Sequence, residues 1–368
     1  MLFASLFLFM TSSTALADNC NLGSWEVVAT IPAGTPGYPE GLKSLGDGRL
    51  VGSQAAAFGQ AGGPPSALLL IDPKTGAVQS IPVDGQITAL EHAGVGIVVV
   101  DANTVLFTTT QGPETGGPEV IKFSQNDEGE WGQTYFSSYP GTPYTDIING
   151  ITVIDNDPLT ALFTDAANNK IYVSPPGGGG QGTVWLDASF PTLPIILPGA
   201  QMGLNAMVTR DDNADGEADE LFVTFTGGPD PDGAAPSPFV DVNGKLYSVD
   251  MHGPRVLVER YDFGLDMPDG IDYRDNELWV TTASPYSTRG DLSRVDGLDN
   301  GGYGVVNFTV ESPELVMASD VTSLGNVLQG PKFKHDIFSI GHNLLNIPTP
   351  SGELHNVVKF RVDCGIGD

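Results

Sequence analysis

Apolar and polar positions along this chain fall into one pattern, repeated six times. A short strand opens on an oxygen-bearing side chain, turns, and is followed by a second, more hydrophobic strand. The copies run from Glu40-Gly41-Leu42 to Arg49-Leu50-Val51-Gly52-Ser53, from Gln86-Ile87-Thr88 to Val105-Leu106-Phe107-Thr108, and from Asn149-Gly150-Ile151 to Ala161-Leu162-Phe163-Thr164. They continue from Asn205-Ala206-Met207 to Glu220-Leu221-Phe222-Val223-Thr224, from Asp269-Gly270-Ile271 to Glu277-Leu278-Trp279-Val280-Thr281, and from Asp320-Val321-Thr322 to Asp336-Ile337-Phe338-Ser339-Ile340. A third strand follows in most copies, as in Ala67–Asp72, Lys170–Ser174, Lys245–Asp250 and Asp291–Asp296, and the first runs into the turn sequence Pro73-Lys74-Thr75-Gly76.

The openings at 40, 86, 149, 205, 269 and 320 lie 46 to 64 positions apart, room for a four-stranded blade and its loops. No segment sustains a 3.6-residue period long enough to require a helix. The pattern predicts an all-β fold, a six-bladed β-propeller with four-stranded blades, in which radial repetition leaves only short protected edges. A pair of β-sandwiches is the rival, but it needs no six-fold repeat. Strand Trp25-Glu26-Val27-Val28 and strand Val357-Val358-Lys359-Phe360 are expected to share the blade that closes the ring.

Composition agrees. Gly at 47 and Pro at 28 of 368 residues suit many short strands and turns, and 40% hydrophobic residues supply a core. Residues 1–17 read as a signal peptide, with an apolar run from Leu2 to Met10 and Ala15-Leu16-Ala17 before the cleavage point, although no Lys or Arg precedes the run. Residues 18–368 then form a single propeller domain, secreted to the extracellular side. Asn307-Phe308-Thr309 is a glycosylation sequon, with Asn307 the acceptor. Cys20 and Cys364 are the only cysteines. In an oxidising compartment they either pair with each other, stapling the ring, or remain unrelated thiols; a link between ends so far apart contributes roughly 4–5 kcal/mol in the chain-entropy model.

The formal charge of −29, from 45 acids against 16 bases, repels a phosphate backbone and an anionic membrane surface alike. The expected partner is a small-molecule substrate met by a monomer, with no nucleic acid and no membrane. Much of this charge serves solubility, yet its field attracts cations.

In a propeller the innermost strand of every blade reaches the axis, so Glu40, Gln86, Asn149, Asn205, Asp269 and Asp320 are expected to converge. Carboxylates brought together away from water repel unless a cation lies between them. Mixed carboxylate and amide oxygens are hard ligands that suit Ca²⁺, and the absence of His and Cys from the set argues against zinc and copper. Alternatively, these residues cap strand ends around a water-filled channel.

Tyr38-Pro39-Glu40-Gly41-Leu42, Ile148-Asn149-Gly150-Ile151 and Met267-Pro268-Asp269-Gly270-Ile271, with the Thr164–Tyr172 hairpin, resemble blades of the regucalcin/gluconolactonase (SMP-30-type) propellers. The terminal cysteine pair is similar to that of paraoxonase-type lactonases. The resemblance implies a divalent cation, Ca²⁺ by preference, held by Glu40, Asn205 and Asp269, with Asn149 a further ligand or a substrate contact. It also implies catalytic roles for Asp269 and Asn149 in hydrolysing lactones or related esters. Ala206 stands where the other quoted motifs have Gly, and no His pair of the paraoxonase type is present. Loops after the second strands are expected to wall the pocket with Gln54, Phe58, Gln111, Asp165, Tyr286 and His342.

A second calcium loop is suggested by Asp211, Asn213, Asp215 and Asp219, which read D-x-N-x-D-G-x-x-D; Phe222 stands where an EF-hand carries its last Glu. An acidic hairpin turn accounts for the same residues. Besides a metal-dependent hydrolase, two functions suit the architecture: a non-hydrolytic small-molecule enzyme, such as a strictosidine-synthase-like or cyclase-type propeller, and a non-catalytic binding protein. No G-x-S-x-G elbow is present, which disfavours serine-hydrolase chemistry.

Overall fold

A computed structural model describes residues 20–31, 38–55, 66–84, 94–110, 114–141, 148–188, 194–195, 200–201, 203–212, 217–227, 244–264, 266–274, 277–283, 290–312, 318–329, 332–341 and 355–365. Six antiparallel sheets follow one another along the chain and form a six-bladed β-propeller. The innermost strands are Tyr38–Ser44, Gly94–Asp101, Ile148–Asn156, Leu204–Arg210, Met267–Arg274 and Ala318–Gln329. Each pairs with the next strand of its own blade, and each touches the innermost strands on both sides, the sixth meeting the first.

Burial follows from this geometry. A second strand has a blade on either face, so both of its faces must be apolar or satisfied. Glu220–Phe225 is buried at every position, and Thr104–Thr109 at all but the first. Outer strands such as Ala77–Pro82 and Val258–Gly264 instead mix exposed and covered positions. The core is accordingly divided into six clusters, one in each seam between adjacent blades. Phe107 and Phe123, edge to face at 5.8 Å, fill the first seam, and Tyr139, Phe163 and Tyr172 the second. Trp185, Phe225 and Tyr247 fill the third, Phe222 and Leu278 the fourth, and Trp279 and Phe360 the fifth. Leu42 and Leu69 of the first blade pack against Phe338 and Val357 of the last in the sixth seam.

Closure is as expected. Cys20–Ile31 is the outermost strand of the last blade and lies antiparallel to His355–Gly365, with Trp25 opposite Phe360 and Val27 opposite Val358. Cys20 falls opposite Cys364 in the same register. Residues 1–17 lie outside the described residues, and among the described residues no helix is long and apolar enough to cross a membrane.

The second blade departs from expectation. Its innermost strand is Gly94–Asp101, not one opened by Gln86, which lies outside the described residues. The strand begins Gly94-Val95-Gly96-Ile97, so an apolar residue precedes the glycine where the other blades carry an amide or acid. Gly180–Gln181, from the third blade's hairpin, adds a short parallel strand to the second blade beside Ser137 and Ser138.

Candidate functional site

Every innermost strand has an irregular register near its start, between Pro39 and Leu42, Gly94 and Ile97, Ile148 and Ile151, Leu204 and Met207, Pro268 and Ile271, and Ala318 and Asp320. Such a bulge takes backbone groups out of the ladder, and buried groups need another partner. A hydroxyl from the second strand provides it in every blade. Ser53, Thr108, Thr164, Thr224 and Thr281 accept from the backbone N–H groups of Gly41, Gly96, Gly150, Ala206 and Gly270, at 2.7–3.0 Å, and Ser339 donates to the Asp320 carbonyl. All six are buried. Two of them also reach the next blade, Thr164 donating to the Asn205 carbonyl and Thr224 to the Asp269 carbonyl. The hydroxyls stand in the repeated second strand of the sequence, but as a structural lock they carry no mark of their role.

This lock presents the side chains before the bulge to the axis. Glu40, Asn149 and Asp269 line one small cavity, together with Lys43, Asp320 and the backbone of the glycines. Its volume, ≈ 20 Å³, holds a single water or ion. Gly96 and Gly150 allow the blades to close around it: a Cβ would sit 1.8 Å from the Asn149 carbonyl oxygen in one case and 2.4 Å from that of Asn205 in the other. Asn205 stands beside this group, fully buried. Its Nδ2 donates to Asp269 Oδ1 and to Thr226 Oγ1, both at 2.7 Å, and Thr226 in turn donates to the Pro268 carbonyl.

Asn205 Oδ1 has no hydrogen-bond donor although it is buried. Leaving such an acceptor dry costs about 1–3 kcal/mol, so a hydrogen-bond donor or a cation would stabilise it. The neighbouring charges point the same way. Burial first, then the negative charges of Glu40 and Asp320, push the Asp269 carboxyl well above its ordinary range, against the hydrogen bond from Asn205. Among the described residues no three His, Cys, Asp or Glu groups cluster closely enough to hold a metal by themselves. Oxygen atoms of Glu40, Asn149, Asp269 and Asp320 line the cavity, and Asn205 is linked to it through its hydrogen bond to Asp269.

Asp320 plays a different part from the one expected. Its carboxylate accepts from Lys43 Nζ, at 2.9 and 2.8 Å, and from the Leu42 and Val321 backbone. Lys43 Nζ also donates to the Ile271 and Val321 carbonyls, at 3.3 and 3.2 Å. The ammonium thus bridges blades one, five and six on the axis, and burial raises Asp320 less than it otherwise would because Lys43 opposes it. Lys43, three residues past Glu40, was not among the expected site residues.

The expected pocket walls fare unevenly. Asp165 is fully buried and caps its own hairpin, accepting from the Ala167 and Asn168 backbone and from Asn168 Nδ2; it is a turn-former, not a pocket wall, as Asp followed by Ala-Ala-Asn would have suggested. Gln54 is buried opposite Pro39. Phe58, Gln111, Tyr286 and His342 lie outside the described residues, as do Asn213 and Asp215 of the acidic loop. At the loop's ends, Asp219 accepts from the Asp212 backbone at 2.7 Å and faces His252 Nε2 at 3.1 Å. Asn307 belongs to the outermost strand of the fifth blade, Val305–Ser312.

No family model matches the sequence, and no curated protein sequence matches it. Solved structures do resemble the fold. A protein of unknown function from Dyadobacter fermentans superposes with a TM-score of 0.55 at 9% identity, over 94% of this chain and 99% of that one. The GH93 α-L-arabinofuranosidase of Fusarium graminearum, solved with arabinobiose, gives 0.51 at 12% identity, over 91% and 97%. Virginiamycin B lyase from Staphylococcus aureus gives 0.45 at 11% identity, over 92% and 99%. At these identities the likeness is one of architecture, and the chain is a six-bladed β-propeller.

Proposed function

We propose that the chain is a secreted, metal-dependent hydrolase of lactones or related esters, of the regucalcin/gluconolactonase kind, with Ca²⁺ as its axial cation. The observation that carries this reading is Asn205 Oδ1, a buried acceptor without a donor, on the amide that holds Asp269, whose carboxyl lines the axial cavity with Glu40 and Asn149. Glu40, Asn149, Asn205 and Asp269 would hold the ion. When bound, it supplies Lewis-acid polarisation of an ester carbonyl and acidification of water.

The chain's own residues supply the rest. Thr226 orients Asn205, and Asn205 orients Asp269 through Oδ1. Asp269 takes the proton of the attacking water at Oδ2 and returns it to the leaving alkoxide oxygen as the acyl C–O bond breaks. Burial and Glu40 keep its proton affinity up, as a general base requires, against the hydrogen bond from Asn205. Asn149 serves as ligand or as contact to the substrate oxygen. Because the cavity holds no more than an ion, the substrate is bound outside it.

The test is metal analysis of the purified protein, followed by hydrolysis of a chromogenic lactone panel with and without EDTA. EDTA-sensitive turnover that is lost in Asp269→Asn supports the proposal. A bound metal with no turnover would shift the reading to a non-hydrolytic enzyme or a binding protein. Absence of bound metal in calcium-containing buffer would end it.

A further inference from the structure

The axis carries a second cation-shaped seat, and the chain fills it itself. Lys43 Nζ donates to four oxygen atoms, both of the Asp320 carboxylate and the carbonyls of Ile271 and Val321, within 2.8–3.3 Å. These groups come from blades five and six, whereas Lys43 comes from blade one. The Asp320 side chain is nearly buried, and the lysine side chain is largely covered. Lys43 and Asp320 line the same cavity as Glu40, Asn149 and Asp269. A carboxylate and two carbonyls at one point are hard ligands of the kind that hold Ca²⁺ or Na⁺ elsewhere.

We propose that Lys43 is a tethered cation that limits the axis to one exchangeable metal ion, and that removing it turns its seat into a second metal site. The inference rests on the reading of the Glu40, Asn149, Asn205 and Asp269 group as a cation site only for the count of the first ion. Three axial carboxylates then meet two positive centres, one covalently part of the chain and one drawn from solution. The lysine also works as a specificity device. It competes with a metal for this seat, because its ammonium is held there by the chain itself.

The experiment compares wild type, Lys43→Ala and Lys43→Ala/Asp320→Asn in full-length protein. Bound calcium is counted after dialysis against trace-free buffer containing calcium, and thermal unfolding is followed in EDTA and in calcium. The expected count is one ion in wild type, two in Lys43→Ala and one in the double variant. A count of none in wild type and one in Lys43→Ala would sink the upper site yet uphold the seat. An unchanged count in a folded Lys43→Ala would overturn the inference. If Lys43→Ala unfolds in EDTA, calcium should restore its melting transition. A single variant that stays unfolded in calcium, while the double variant folds, would refute the proposal equally.

Discussion

Asn205→Leu separates a ligand from a merely structural amide, because its cost should depend on calcium. The substitution keeps the side-chain shape and deletes both Nδ2 bonds. One is made to the carboxyl of Asp269 and one to Thr226, together worth about 2–4 kcal/mol. It also removes Oδ1, whose burial without a donor costs about 1–3 kcal/mol. In EDTA the two effects nearly offset, and urea unfolding should show a net loss of about 1 kcal/mol. In calcium at a hundred times the dissociation constant, wild type gains about 2.7 kcal/mol by mass action, and the variant gains none of it. The gap between the two proteins should therefore widen from about 1 to nearly 4 kcal/mol when calcium replaces EDTA. Equal gaps in both buffers would refute the ligand role of Asn205 outright.

Three further outcomes are expected. Thr224→Val should cost about 2 kcal/mol in urea unfolding, since it orphans the Ala206 N–H and loses the bond to the Asp269 carbonyl. Asp336, which burial pushes up but which Arg361 and Lys359 pull below its ordinary value of 3.8, contributes stability that is present above that pH and lost as the pH falls through its lowered pKa; Asp336→Asn should flatten the acid limb of a melting-temperature profile below about pH 4. Oxidised protein should show no titratable thiol even in denaturant, because opposed residues of an antiparallel pair bring their Cα atoms within disulfide range, and Cys20 and Cys364 are so opposed.

The repeated strand pairs were legible because each second strand is squeezed between two blades and must be apolar on both faces, a demand that leaves its mark at every copy. The closing blade was legible because a short apolar strand, Trp25 to Val28 and Val357 to Phe360, stands at each end of the six repeats. The second blade was misread for a converse reason. Its innermost strand begins with Val95 and Gly96, so a search for a polar opening settled on Gln86 instead. Glu40, Asn149 and Asp269 stood out because an acid or amide before a glycine repeats at the start of an innermost strand, and Asn205 because it holds the same place before Ala206. Lys43 was not, because its partner Asp320 is 277 positions away and nothing local distinguishes a buried lysine from a solvated one. Asp165 shows the opposite error, a turn-forming carboxylate whose acidity suggested chemistry.

The last blade imposes an order on the life of the molecule. Its outer strand, Cys20–Ile31, is made first, whereas its partner, His355–Gly365, is made last. During synthesis the N-terminal segment must wait with an open hydrogen-bonding edge, a state that invites pairing with foreign strands. Five blades can assemble before the chain is complete, but the axis stays breached until the final strand arrives. Lys43 reaches Asp320 across that same breach, so full stability should appear only after the last blade has docked.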